Sequence, residues 1–262
     1  MNLTIALPVI FLIAVLMTMA GRGGGNFYVL AQVAFGASMH TAASTGQLIM
    51  FCTSLAALFI FQKHKQIAWP MAILIGCTTS LMAFVGGFLA HFASGMSLKL
   101  TFASMLVVAG FLMLFRFKER KQPQAPGWGT WTFKLGEELI CVKLWLVIPV
   151  SLATGLVAGM VGISGGSFLV PLMVLACAMP MKAAVGTSSV MVAATAGMGF
   201  LGHLSQGGVD LEWVLPQVAV AFVGGLIGGK LAIKTKPKSL KLLFASTTLI
   251  AAIFMYINAF AA

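Results

Sequence analysis

Met19-Ala-Gly-Arg-Gly-Gly-Gly-Asn-Phe-Tyr-Val29 and Met160-Val-Gly-Ile-Ser-Gly-Gly-Ser-Phe-Leu-Val170 align without a gap and share six identities. Carrying the register on to Met50 over Met191 adds Val33, Ala37, Ala42, Ala43 and Met50, where composition alone gives roughly three matches in the window. Farther on, Ala83-Phe-Val-Gly-Gly87 returns as Ala221-Phe-Val-Gly-Gly225. An internal duplication is the simplest explanation, so the chain reads as two related halves.

Each copy runs an apolar stretch into a glycine cluster and out into a second, shorter one. The rest of the chain says which solvent these stretches meet. Of 262 residues 60% are apolar and 8% charged, with a mean hydropathy of +1.04, which leaves a water-soluble domain without a surface to wet. Leu3 to Ala20, Thr45 to Phe61, Met71 to Phe92, Leu100 to Phe115, Leu144 to Met160 and Leu240 to Phe260 are apolar runs, mostly long enough to cross ~30 Å of hydrocarbon. The expected fold is therefore all-α: a multi-pass inner-membrane protein with about ten hydrophobic segments, its partner the lipid bilayer. Met1 to Pro8 carries no Lys or Arg, so the first stretch reads as retained and not as a cleaved signal. The net charge of +11 does not point to nucleic acid, because the basic residues fall between spans and not on a soluble face.

Those basic residues set the orientation. Lys63 and Lys65, the run Arg116 to Lys143, and the cluster Lys230 to Lys241 are placed in the cytoplasm, whereas Ala93 to Ser97 and Ser205 to Glu212 face outward and both termini lie outside. Residues 1–117 form a first transmembrane repeat, 118–143 a Pro- and Gly-containing cytoplasmic linker with Trp128 and Trp131 at the headgroups, and 144–262 a second repeat. Counting back from Lys63 the first repeat starts outside, and counting on from Lys143 the second starts inside, so the repeats are expected to be inverted. Two span counts satisfy this. Asn26 to Ala37 and Ser167 to Ala178 either cross fully, giving ten spans, or fold back on the preceding helices as re-entrant hairpins, giving six spans and two hairpins.

A helix broken in lipid frees backbone N–H groups that need protein, water or ligand. At the start of a short helix those amides and the positive dipole end suit an anion, and corresponding glycine-broken helices in inverted repeats point to a binding site at the repeat interface. The candidate substrate-binding residues are Arg22, Gly23, Gly24, Gly25 and Asn26 in one half and Ser164, Gly165, Gly166 and Ser167 in the other. A second polar set lies just inside the next span: Ser44, Thr45 and Gln47, matched by Thr187, Ser188 and Ser189. The alternatives are structural: close packing for the glycines, helix capping or interhelical bonding for the hydroxyls, and snorkelling to the headgroups for Arg22. Packing is the reading for Gly86, Gly87, Gly224, Gly225, Gly228 and Gly229.

The remaining chemistry is sparse. Cys52, Cys77, Cys141 and Cys177 lack metal or redox spacing, and no Asp or Glu falls inside a predicted span, so no cofactor, metal or catalytic residue is assigned. Gly162-Ile-Ser-Gly-Gly166 has the form Gly-x-Ser-x-Gly without the strand-turn-helix setting a nucleophile needs. His40, His91 and His203 fall near span ends, where interfacial hydrogen bonding is the default and proton relay the alternative. A small anion as substrate suits these features. A passive anion channel, a membrane-embedded enzyme and a scaffold subunit are the rivals.

Gly162 to Pro171, followed by Ala184-Val-Gly-Thr-Ser-Ser189, resembles the sulfite exporter TauE/SafE family of membrane permeases over nearly the whole chain. The first half departs from the pattern, with Leu30 in the place of the proline and Ala43-Ser-Thr-Gly46 as a blurred second motif. The resemblance implies transport, generally export, of a sulfur-containing anion such as sulfite, a sulfonate or a related organic acid.

Overall fold

The computed structural model describes residues 3–21, 23–98, 100, 101, 104, 107, 108, 129–135, 138–163, 165–205 and 210–260. In the first half, α1 (Leu3–Met19), a short α2 (Gly25–Ala34), α3 (Met39–Lys63) and α4 (Trp69–Leu89) follow in order, and a 3-10 turn (Ala90–Phe92) ends α4. The second half repeats the order with α5 (Leu144–Val161), a short α6 (Gly166–Pro171), α7 (Met181–Leu204) and α8 (Leu211–Lys234), and α9 (Pro237–Phe260) follows. A π-type turn, Leu172–Ala176, extends α6. Among the described residues, α3, α4, α5, α7 and α8 are long and apolar enough to cross a membrane. Large side chains such as Ile5, Phe59, Leu81 and Val223 stand exposed on their outer faces, the arrangement of a protein solvated by lipid.

Local chemistry marks the helix ends. Ser38 caps α3 by accepting the Thr41 amide at 3.2 Å, and Asp210 caps α8 by accepting the Trp213 amide at 3.1 Å. Glu212 stands in the first turn of α8, and Lys63 and Lys234 in the last turns of α3 and α8, each matched to the helix dipole.

The halves are locked together by exchange. α4 packs on α5 and α7 of the other half, and α8 packs on α1 and α3. Close backbone approach at small residues gives the directions. Gly155 faces Thr79 and Gly159 faces Ala83, while Ala68 meets Thr187, Gly76 meets Met191 and Gly87 meets Gly199, so α4 runs parallel to α5 and α7. Gly224 meets Phe11 and Ala14, Gly228 meets Val15 and Thr18, and Gly225 and Gly229 meet Thr53 and Ile60, so α8 runs parallel to α1 and α3. α3 and α7 are antiparallel, with Gln47 beside Gly199 and Phe51 beside Gly197. Each helix of the first half therefore points opposite to its counterpart in the second.

These directions put the described lysines at one end. The starts of α5 and α7 and the ends of α3 and α8 meet there, and Lys182 Nζ donates to Ile233 O at 2.7 Å. His40, His91, His203, Asp210 and Glu212 lie at the opposite end.

Part of the stretch read as a linker is ordered structure. β1 (Thr130–Leu135) and β2 (Glu138–Lys143) form an antiparallel hairpin with Trp131 opposite Val142 and Phe133 opposite Ile140. Ile140 and Val142 are buried with Val147, Leu169, Val170 and Met173, while Leu139 before them is exposed and Cys141 between them half-buried, the period-two alternation of a half-buried strand. The Trp131 ring meets that of Phe133 at 5.3 Å and packs on this cluster; Trp128 lies outside the described residues.

The directions make a labelling experiment decisive. A membrane-impermeant thiol reagent applied to intact cells is expected to modify Glu212→Cys and to spare Lys238→Cys until the membrane is opened, and the reverse pattern would show the bundle inserted the other way round.

Candidate functional site

α1 ends at a break in which Gly21, Gly23 and Gly24 hold φ of 73°, 62° and 90°, the left-handed region that side chains resist. Gly24 then opens α2. The turn dips until Gly21 lies against Val185 and Ser188, then climbs so that Gly23 stands abreast of Met50 and Ser54 near the middle of α3. α2 returns beside the first part of α3, Val29 touching Gly46. Its ten residues span about 15 Å, and α1 and α2 form a helical hairpin around the glycine break. α5 and α6 form the other. Gly162, φ 77°, packs on Ala43 near the start of α3, and α6 turns back to Val170 and Met173, which lie beside the β-hairpin.

Each break lodges against the third helix of the other half, and the carbonyls it frees are met by side chains from there. Ser188 Oγ on α7 donates to Gly21 O and lies 2.9 Å from Val185 O. Gln47 Nε2 on α3 donates to Gly159 O at 3.1 Å, with Ala158 O at 3.4 Å. Gln47 and Ser188 occupy the same place in the register that sets Met19 over Met160. The rest of the second polar set serves the helices. Ser44 and Thr45 bond back to Thr41 O at 3.0 and 2.7 Å, Ser189 to Gly186 O at 2.7 Å, and Thr187 accepts the Ala68 amide at 2.9 Å, tying α7 to the start of α4. Ser167 is buried and bonded. Arg22, Ser164 and the Asn26 side chain lie outside the described residues.

Sequence reasoning missed several polar groups around the first break. Ser54 Oγ and Thr18 Oγ1 are buried with no partner among the described residues, as is Gln47 Oε1. A Cβ on Gly23 would collide with Ser54 Oγ, so this hydroxyl lies against the break itself. Tyr28 OH bonds Thr53 Oγ1 at 2.9 Å and its ring covers Gly24. Gln32 on α2 donates to Gln217 at 2.7 Å and accepts from Trp213 at 3.0 Å, pinning the end of α2 to α8. Hydroxyls spaced along an apolar helix were the only signal available for Ser54 and Thr53, and α3 carries several that merely bond within the helix.

A separate groove of about 670 Å³ lies between α3, α4 and α7, lined by Phe51, Ile73, Cys77, Met198 and Leu201, with Ser80 as its one hydroxyl. Ile73 and Leu201 are exposed there, so the groove is a lipid-facing feature and not an anion pocket.

Two interlocked halves, each with a glycine-broken helix pair seated on the other, define a multi-pass membrane protein of the transporter class. The chain belongs to the sulfite exporter TauE/SafE family, whose profile matches residues 6–255. It is 24% identical to the probable membrane transporter protein YdhB of Bacillus subtilis over 85% of this chain and 87% of that one. It is also 23% identical to a probable membrane transporter protein of Methanocaldococcus jannaschii, covering 94% and 92% of the two chains, and 27% identical to one of Xylella fastidiosa, covering 80% and 76%. No solved structure matches the chain significantly.

The glycines separate by geometry. Gly24→Ala forces a side chain into the left-handed region and onto the Tyr28 ring, and is expected to cost about 1–2 kcal/mol or more. Gly165 has an ordinary φ of −55° and only the flexible Leu169 side chain within 3.4 Å of an added Cβ, so Gly165→Ala is expected to unfold within a few degrees of wild type. Thermal unfolding of the purified variants checks both.

Proposed function

We propose that the protein exports a small sulfur-containing anion such as sulfite, a sulfonate or a related organic acid. Transport proceeds by alternating access at the interface of two inverted repeats. The observation that carries this reading is the Ser54 hydroxyl, which is buried against Gly23 at the break and has no partner among the described residues. A buried donor without a partner is costly, and the first-turn amides of α2 have no partner within the helix. An anion satisfies both. Arg22, Gly23, Gly24, Gly25 and Asn26 supply the first-half contacts, and Ser164, Gly165, Gly166 and Ser167 the second-half ones. Gln47 and Ser188 hold each break on the opposite half, and Ser44, Thr45, Thr187 and Ser189 keep those helices in place.

The opposed helix directions and the exchange of α4 and α8 support the inverted relation. They suit a rocking motion in which each break moves with the half it is seated on. Sulfite and export come from the family's description. The Gly-x-Ser-x-Gly match lies in a helix break instead of a strand-turn-helix elbow, which favours transport over hydrolysis.

Ser54→Ala discriminates, because removing an unpartnered hydroxyl is neutral or stabilising for the fold. Purified Ser54→Ala is expected to match or exceed the wild-type unfolding temperature while binding sulfite or a sulfonate about tenfold or more weakly, as loss of a hydrogen bond to a charged ligand implies. Unchanged affinity and unchanged proteoliposome flux would remove the site. Arg22→Gln should weaken binding and Arg22→Lys restore part of it if charge alone is needed, and ohmic single-channel currents would replace the carrier by a pore.

A further inference from the structure

We propose that His40, His91 and His203 form a proton-binding site at the end of the bundle away from the lysines, through which pH on that side controls the hold on the α5 break. Three helices bring them together: His40 from the first turn of α3, His91 from the 3-10 turn after α4, and His203 from the last turn of α7. The His40 and His91 rings lie 6.5 Å apart. His203 sits opposite Gly87, one turn before His91, and within electrostatic reach of His40. His91 is exposed, His40 half-buried and His203 buried, so the group runs from water into the protein.

Its inner member touches the transport machinery. His203 Nε2 lies 2.9 Å from Gly159 O, the carbonyl that also accepts from Gln47. A carbonyl only accepts, so Nε2 carries the proton and Nδ1 is the nitrogen that titrates. Protonation at Nδ1 keeps the bond and turns it into a charge-assisted one. It also places a cation at the carbonyl end of α5, where the helix dipole favours it. Acid on this side therefore tightens the grip on the second hairpin, and alkali loosens it. Charge on His40 opposes charge on His203.

Few other groups face this cluster. α5 carries no titratable residue. α4 adds only Cys77, α3 only Cys52 and the distant Lys63, and α7 only Lys182 at its far end. Asp210 and Glu212 lie at the same end on α8, which packs on α3, the helix that carries His40, and are the carboxylates at this level; Lys99 lies outside the described residues. No grouping of three metal-ligating side chains occurs among the described residues, which leaves the proton as the cation these rings suit.

The test has two arms. Histidine-labelled full-length protein, free of substrate, is titrated by NMR between about pH 5 and pH 8. His203 is expected to take its proton at Nδ1 while keeping Nε2–H, and His40→Gln to move its midpoint. Flux of methanesulfonate, whose charge is constant over this range, is then measured in proteoliposomes as pH is varied on each face. This arm rests on the proposed transport of sulfonates. Acidifying the histidine face is expected to slow flux about two- to fivefold, the factor of a helix-terminus charge. His203→Gln, which keeps an N–H donor, should abolish that dependence and His64→Gln should leave it. A His203 titration indifferent to His40→Gln, or a His203→Gln profile superimposable on wild type, overturns the proposal. Absence of methanesulfonate flux strikes only the substrate reading, because the NMR arm decides the proton site without it.

Discussion

Backbone polarity in hydrocarbon governs this structure. A helix that stops inside the bilayer exposes amides at one side of the break and carbonyls at the other, and nothing in lipid can satisfy them. Here the carbonyl side is met by residues of the opposite half, Ser188 reaching Gly21 and Gln47 reaching Gly159, with His203 of the same half also at Gly159. The breaks are thereby bound to helices that run in the opposite sense, which makes the interface between halves the place where broken backbone, buried hydroxyls and tight packing coincide.

Small residues make that interface possible. Gly86 and Gly159 let α4 and α5 approach at the backbone, and Gly224 and Gly228 do the same for α8 on α1. Without water to drive apolar surfaces together, contact area and backbone proximity carry the association. The glycines of the breaks have a different duty. Gly21, Gly23, Gly24 and Gly162 need left-handed backbone as well as space, whereas Gly165 needs neither.

The helical membrane fold was legible because hydropathy and lysine placement are one-dimensional signals, and α1, α4 and α5 fall close to the apolar runs that mark them. The breaks were legible from the repeated glycines. The choice between full crossings and hairpins was not, since it rests on how far α2 and α6 climb before they turn. The β-hairpin was hidden because Leu139-Ile-Cys-Val142 reads equally as a few apolar residues in a polar linker until Ile140 and Val142 find Leu169 and Met173. Among the polar candidates, spacing alone did not separate Gln47 and Ser188, which reach across, from Thr45 and Ser189, which bond back within their own helices. Ser54 stood out from the other hydroxyls of α3 by nothing in the sequence, because an unpartnered hydroxyl is defined by its surroundings.

The exchange of α4 and α8 also bears on how such a protein is made. When the first half leaves the ribosome, α4 has neither α5 nor α7 to pack on, and the backbone faces of Gly86 and Gly87 meet lipid or the insertion machinery. α1 and α3 wait in the same way for α8, the penultimate helix to emerge. Assembly is therefore a late event: the first half is inserted as a set of unfinished surfaces, and the polar stretch between residues 118 and 143 separates insertion from completion in time.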